Sequence, residues 1–318
     1  MIKFPVKKGE AAVEPFHLFD KKRGRSSLLK AVKRHYVLYL MMIPILGYFA
    51  IFSFYPLIRG FAMSMTEFKL MGGGDFIWFE NYLAVWKDPV FVNAMLNTAI
   101  IGTGILIGGF VAPLILAISL NEVASAWMKK SIQTIVYLPH LFSWVVVGGI
   151  WIYMLSPDGG TVNGLLNLFG IDSVPFLTET TLAKPIMVLT AIWKDMGFIC
   201  IIFLAAIVGI SPTLYEAAKM DGATRLQQIF YITLPQLAPT MKVVFLLNMM
   251  GFLKIFDQIF VMTNPAIARH VDVIMMYTYE KGILQFQMGI ATAAAFTVIF
   301  VTLILVMIFR KVVRYDVG

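Results

Sequence analysis

The residues able to do chemistry in this chain are few, and most stand where ionisable groups are costly. Lys194 and Asp195 lie inside an apolar run, 186–208, with Trp193 and Phe198 beside them. Lys254 and Asp257 lie in another, 240–263, together with Asn248, Phe252 and Gln258. Charges in such surroundings need a partner or water, so they mark functional positions by default. Lys254 and Asp257 are three apart and can pair on one helix face, either beside a polar path or as mutual neutralisation at a subunit interface. No Ser/Lys, paired-Asp or metal-His arrangement occurs at helical spacing, which argues against an intramembrane enzyme. His17, His35, His140 and His270 stand far apart in the sequence, and no Cys/His/Asp/Glu cluster has ligand spacing, so no metal is expected. Cys200 is the sole cysteine, which excludes an intrachain disulfide and reads as a small packing residue. A Gly-x-x-x-x-Gly-Lys-Ser/Thr loop, the backbone cradle for nucleotide phosphates, is absent.

The elements that must position these residues belong in a bilayer. The 318 residues are 59% hydrophobic and 14% charged, with a mean hydropathy of +0.80, against about a quarter charged in soluble domains. A helix crossing the hydrocarbon core needs about 20 mostly apolar residues. Six runs meet that length: 36–57, 94–120, 132–155, 186–208, 240–263 and 290–309. The first ends in Phe54-Tyr55-Pro56 rather than in a small-residue cleavage site, so it is expected to stay as a span. Much of the net charge of +8 lies ahead of it, in Lys21, Lys22, Arg23, Arg25, Lys30, Lys33 and Arg34. Basic residues beside a span fix topology and meet anionic lipid headgroups, a better account here than nucleic-acid binding. Residues 1–35 therefore read as a basic cytoplasmic tail and 36–318 as a six-helix transmembrane domain. Both termini are then cytoplasmic, since Arg310, Lys311 and Arg314 return to the same side. The outer connections carry turn signals, Gly72-Gly73-Gly74 and Pro157-Asp158-Gly159-Gly160. In the second run Gly104 and Gly108 form a small-xxx-small pair, either a site of close helix approach or lipid-tolerated glycine.

The cytoplasmic loop 209–239 is the most informative segment. Ser211 can cap a helix, Pro212 suits its first position, and Tyr215 to Met220 are mostly good helix formers. Gly222 permits the left-handed turn that stops it, and a second helix can follow from Ala223 to Ile232 before Pro235 bends the chain into the membrane. Tyr215, Glu216, Lys219 and Met220 would face the cytoplasm. Glu216-Ala217-Ala218, then Asp221-Gly222-Ala223, then Phe230 and Leu234-Pro235 resemble the EAA loop of permease subunits of bacterial binding-protein-dependent ABC importers. The resemblance implies an all-α MetI-like permease fold and a coupling helix seated in a cleft of an ATPase subunit. Glu216 would be the polar anchor there, Ala217 and Ala218 would allow close packing, Gly222 would make the turn, and Asp221 would cap the second helix.

Leu120-Asn121-Glu122, Tyr137-Leu138-Pro139-His140, Ser143 to Gly149 and Leu155-Ser156-Pro157 are similar to blocks of the carbohydrate-uptake permeases, in particular those importing oligosaccharides from polysaccharide breakdown. This resemblance implies a second related permease, two ATPase subunits that bind ATP and Mg²⁺, and an extracytoplasmic solute-binding protein. A non-carbohydrate solute, or ion-coupled transport, is the alternative. Ion coupling would call for acidic or histidine relays deep in the spans, and Asp195 and Asp257 are expected to be shallow. A sugar path needs aromatic faces and polar groups at one depth. Trp193 and Phe198 with Asn248, Phe252, Asp257 and Gln258 meet that composition, although Trp193 also fits an aromatic belt residue.

Overall fold

The computed structural model describes residues 35–67 and 74–312, and these are nearly all helical, with a single isolated antiparallel bridge between Thr66 and Phe76. Most of the basic tail, Gly72, Gly73 and Arg314 lie outside the described residues. The chain divides into two units, Met1–Arg59 and Gly60–Gly318. The described part of the first unit is the start of helix α1, Tyr36–Ser64, which continues through Pro56 instead of ending there. A π-turn over Ala50–Phe54 makes this possible. The proline ring would otherwise meet the carbonyl four residues back, that of Phe52, and the wider turn makes room for it.

The second unit is built from α2 (Glu80–Lys87), α3 (Pro89–Glu122), α4 (Ala126–Leu141), α5 (Trp144–Met154), α6 (Thr161–Leu168), α7 (Thr180–Val208), α8 (Pro212–Met220), α9 (Arg225–Gly251), α10 (Asp257–Met262), α11 (Ala268–Val271), α12 (Ile274–Tyr279) and α13 (Met288–Val312). Among the described residues, α1, α3, α7, α9 and α13 are long and apolar enough to cross a membrane, and α4 with α5 brings the number to six if that pair is one span. Helices α3 and α7 pack closely because α3 offers glycines. A Cβ at Gly104 would stand 2.8 Å from Val188 Cγ2, and one at Gly108 would collide with Ile192 Cδ1. The small-xxx-small pair is thus a site of close approach. One buried cluster holds Ala117, Leu120, Phe203, Ile207, Leu237 and Val244 at the loop 209–239 end, and others hold Ile101, Met187, Ile259 and Met262, or Phe91, Ala94, Ala293 and Ala294.

Two expected spans are corrected. The run 132–155 is not one straight helix: α4 and α5 meet at 106°. Pro139 is the second residue of a 3-10 turn, Leu138–Leu141, and Phe142 and Ser143 are extended, so the intrahelical hydrogen bonds stop there. The fifth crossing is α9, Arg225–Gly251, displaced toward the loop from the expected 240–263. Pro235 does not bend it, since a π-turn over Ile229–Thr233 again contains the carbonyl that the ring would strike, that of Tyr231. The apolar run instead breaks after Gly251 and resumes as the short α10.

At the other end of the unit, the connection between α10 and α13 is tied to α3 by side chains. Asn93 and Asn97 donate to the Arg269 carbonyl at 2.6 and 3.2 Å, and Asn97 donates to that of Asp272 at 3.0 Å. Asp88, the N-cap of α3, accepts from the Tyr277 hydroxyl at 2.9 Å and faces Lys281 Nζ at 3.6 Å. Burial works to raise the Asp88 carboxyl, but the Val90 N–H, Tyr277 and Lys281 together hold it below the ordinary range. Burial pushes the Asp272 carboxyl up to about 6, and the Glu280 charge adds to that.

Candidate functional site

The loop 209–239 folds as the sequence predicts in outline. Helix α8 starts with Pro212 in its first turn and ends at Asp221, after which Gly222 takes φ +79°. Nothing lies within 4 Å of a Cβ built on Gly222, so the backbone angle alone demands glycine. The cap of the following helix is not Asp221, which closes α8, but Thr224. Its hydroxyl accepts from the Gln227 N–H at 3.4 Å, and the Gln227 side chain accepts from the Thr224 N–H at 2.7 Å, a reciprocal capping box. Ser211 makes no capping bond and pairs its hydroxyl with Thr213 at 2.8 Å.

Helix α8 hangs from the spans by a few polar contacts and is otherwise bare. The Tyr215 hydroxyl meets Thr233 Oγ1 at 3.0 Å, and buried Gln228 donates to the Ala223 carbonyl at 3.0 Å. Arg225 pairs with Glu122 at the end of α3, 3.2 Å away. Glu216, Ala217, Lys219, Asp221 and Gly222 are exposed, and Met220 is 84% exposed. Ala218, Ala223 and Leu234 are half-buried and Pro235 is exposed. Between α8, the start of α9 and the end of α3 lies a cavity of about 330 Å³, lined by Glu122, Tyr215, Glu216, Lys219, Arg225 and Thr233 among others. A largely exposed helix thus stands beside this cavity.

The expected path residues lean on different neighbours. Trp193 is edge-on to Trp151 of α5, with centroids 5.4 Å apart. Phe252 follows the end of α9 and packs on Gly102, where a Cβ would stand 2.7 Å from the Phe252 carbonyl. Asn248 donates to the Gly109 carbonyl at 3.4 Å. Gln258 is only 2% exposed and gives its amide to the Met187 carbonyl and to Thr190 Oγ1, both at 2.7 Å. It clamps α10 to α7 in the core instead of facing an opening. Lys254 stands in the break and exposed Asp257 begins α10, so the two share no helix face, and no ion pair joins them. The helix break at Phe252 to Phe256 removes the spacing on which that pairing depends.

A polar cluster not foreseen from the sequence forms where the α4–α5 bend meets α7. His140 Nδ1 lies 2.9 Å from Asp195 Oδ1, and the His140 ring stacks on Phe198 at 4.6 Å and 9°. Lys194 is buried, donating to the His140 carbonyl at 3.4 Å, facing Asp195 Oδ1 at 3.6 Å and lying 5.5 Å from the Trp144 ring centroid. Gly197 admits the bend, since any Cβ there would collide with the Val136 carbonyl. His140 and Asp195 are 55 residues apart in the chain, so no local spacing could show the pair. The available signal was that each is polar within an apolar run.

Comparison with known proteins agrees with this architecture. Residues 104–315 match the family model described as binding-protein-dependent transport system inner membrane component. The chain is 33% identical over 301 residues, 93% of each chain, to the polygalacturonan/rhamnogalacturonan transport system permease protein YteP of Bacillus subtilis (strain 168). It is 35% identical over 271 residues to Protein LplB of the same organism, covering 84% of this chain and 85% of that one. A solved structure of a bacterial alginate ABC transporter, in complex with an alginate pentasaccharide-bound periplasmic protein, contains a chain that superposes with a TM-score of 0.83 at 37% identity. The superposition covers 89% of this chain and 96% of that one. The helical fold, the spans and these matches together show that the chain belongs to the family of binding-protein-dependent transport system inner membrane components.

Proposed function

We propose that this chain is the non-catalytic permease subunit of an ATP-driven importer that takes up an oligosaccharide handed over by an extracytoplasmic solute-binding protein. The observation that carries the reading is α8: a short helix on a Gly222 turn, exposed on most of its surface and bordering a polar cleft. Two ATPase subunits, holding ATP and Mg²⁺, take one such helix each from this chain and from a second related permease. The complex sits in the bacterial cytoplasmic membrane with both termini of this chain and α8 on the ATP side. The carbohydrate assignment is supported by relatives named for polygalacturonan/rhamnogalacturonan and arabinooligosaccharide transport, and by the alginate transporter.

In this arrangement Glu216 and Lys219 supply polar contacts to the ATPase, and small Ala217 lets its backbone approach. Trp193, Phe198, Asn248, Phe252 and Asp257 remain path candidates by composition, and Gln258 supports them from behind through α7. The test is purification of the whole complex with Glu216→Ala and Gly222→Ala. Each should lower copurification of the ATPase subunit by about tenfold, equivalent to roughly 1.4 kcal/mol, while the permease pair stays together. Undiminished ATPase capture by both variants would overturn the docking role.

A further inference from the structure

We propose that the His140–Asp195 pair is a ligand subsite that hydrogen-bonds neighbouring hydroxyls of the transported sugar. The inference rests on the carbohydrate reading and adds to it a residue from the bend between α4 and α5. Asp195 Oδ1 takes both nitrogen neighbours, His140 Nδ1 at 2.9 Å and Lys194 Nζ at 3.6 Å. Asp195 Oδ2 has no partner among the described residues, and the side chain is 51% exposed. A carboxylate oxygen accepts, so His140 Nδ1 donates to it and Nε2 is left as a second polar atom free for a ligand. That nitrogen also lacks a partner among the described residues, and the side chain is 32% exposed.

Two open polar atoms beside the exposed ring of Phe198 suit a ligand that carries hydroxyls. Lipid tails offer no donors and would leave a half-exposed carboxylate unsolvated, so this face opens on a wet path. Hydroxyls of adjacent sugar carbons are donors of the right kind, and the Phe198 ring suits the CH face of the same pyranose or furanose. Lys194 is buried beside the pair, so it steadies Asp195 rather than reaching the ligand.

The test uses paired substitutions that separate a contact from a tether. His140→Asn retains a donor where Nδ1 stood, keeping the link to Asp195, but removes the outward nitrogen. His140→Gln does the reverse, and Asp195→Asn changes an acceptor into a donor without changing size. Each is assayed as the complete complex in proteoliposomes, with uptake of labelled arabinotriose and trigalacturonate read against copurification of the ATPase subunit as the control for assembly. A ligand contact predicts that His140→Asn and Asp195→Asn raise the KM for uptake at least tenfold, with His140→Gln closer to the unsubstituted complex. Wild-type KM in His140→Asn with loss only in His140→Gln would show a tether and overturn the proposal. Wild-type uptake in all three would do the same while leaving carbohydrate import standing. If the unsubstituted complex transports neither sugar, the carbohydrate reading fails and the subsite falls with it.

Discussion

At the scale of single residues, environment decides what each polar group does. Gln258 and Asp195 both interrupt apolar runs, yet one is consumed by core hydrogen bonds and the other leaves an oxygen open. Asp272, outside the spans, shows how environment sets charge. Its folded-state pKa, pushed up to about 6, lies above the ordinary value of about 3.9. The folded chain therefore binds this proton more tightly than the unfolded chain, so the stability it contributes is full below about pH 4 and is lost as pH rises through about 6. Asp272→Asn cannot titrate. Thermal unfolding in detergent should show the variant gaining on the wild type between pH 4.5 and 7, and a pH-independent difference would contradict this.

At the scale of elements, two devices place the functional parts. A π-turn ahead of Pro235 keeps α9 continuous from the loop 209–239 through its apolar run. Gly197 seats the bend of α4 and α5 against α7, which brings His140 to Asp195. The obstacle to a side chain at position 197 is backbone, which cannot swing aside. Gly197→Ala should therefore cost about 1–3 kcal/mol through overpacking. Gly149→Ala, with nothing within 4 Å of the new methyl group, should leave the melting temperature unchanged or slightly higher. Equal melting temperatures for the two variants would remove the case for Gly197 as the seat of the bend.

At the scale of the whole molecule, the proposed function predicts that the loop 209–239 and the C-terminal end of α13 share one side of the membrane. The turn at Gly159 and the Arg269–His270 segment should be on the other. Because Cys200 is the sole cysteine, a Cys200→Ser background permits a direct test. Single cysteines at Met220 and Arg310 should react with an impermeant maleimide only in inside-out vesicles, and those at Gly159 and His270 only in right-side-out cells. Labelling of position 220 together with 159 from one side would refute the topology.

The sequence alone determined the membrane class and the short helix of loop 209–239 with its Gly222 turn, because hydropathy and local backbone preference act over spans of 20 residues or fewer. It also showed that Gly104 and Gly108 could admit a neighbour. The structure decided what could not be local. Hydrophobic runs do not announce where a helix inside them breaks, so the bend after Pro139 and the break after Gly251 appeared only with the fold. Those breaks undid the Lys254–Asp257 pairing and sent Gln258 into the core. They also joined His140 to Asp195, a contact that needs α4 bent and α7 notched at Gly197 so that two distant segments can meet.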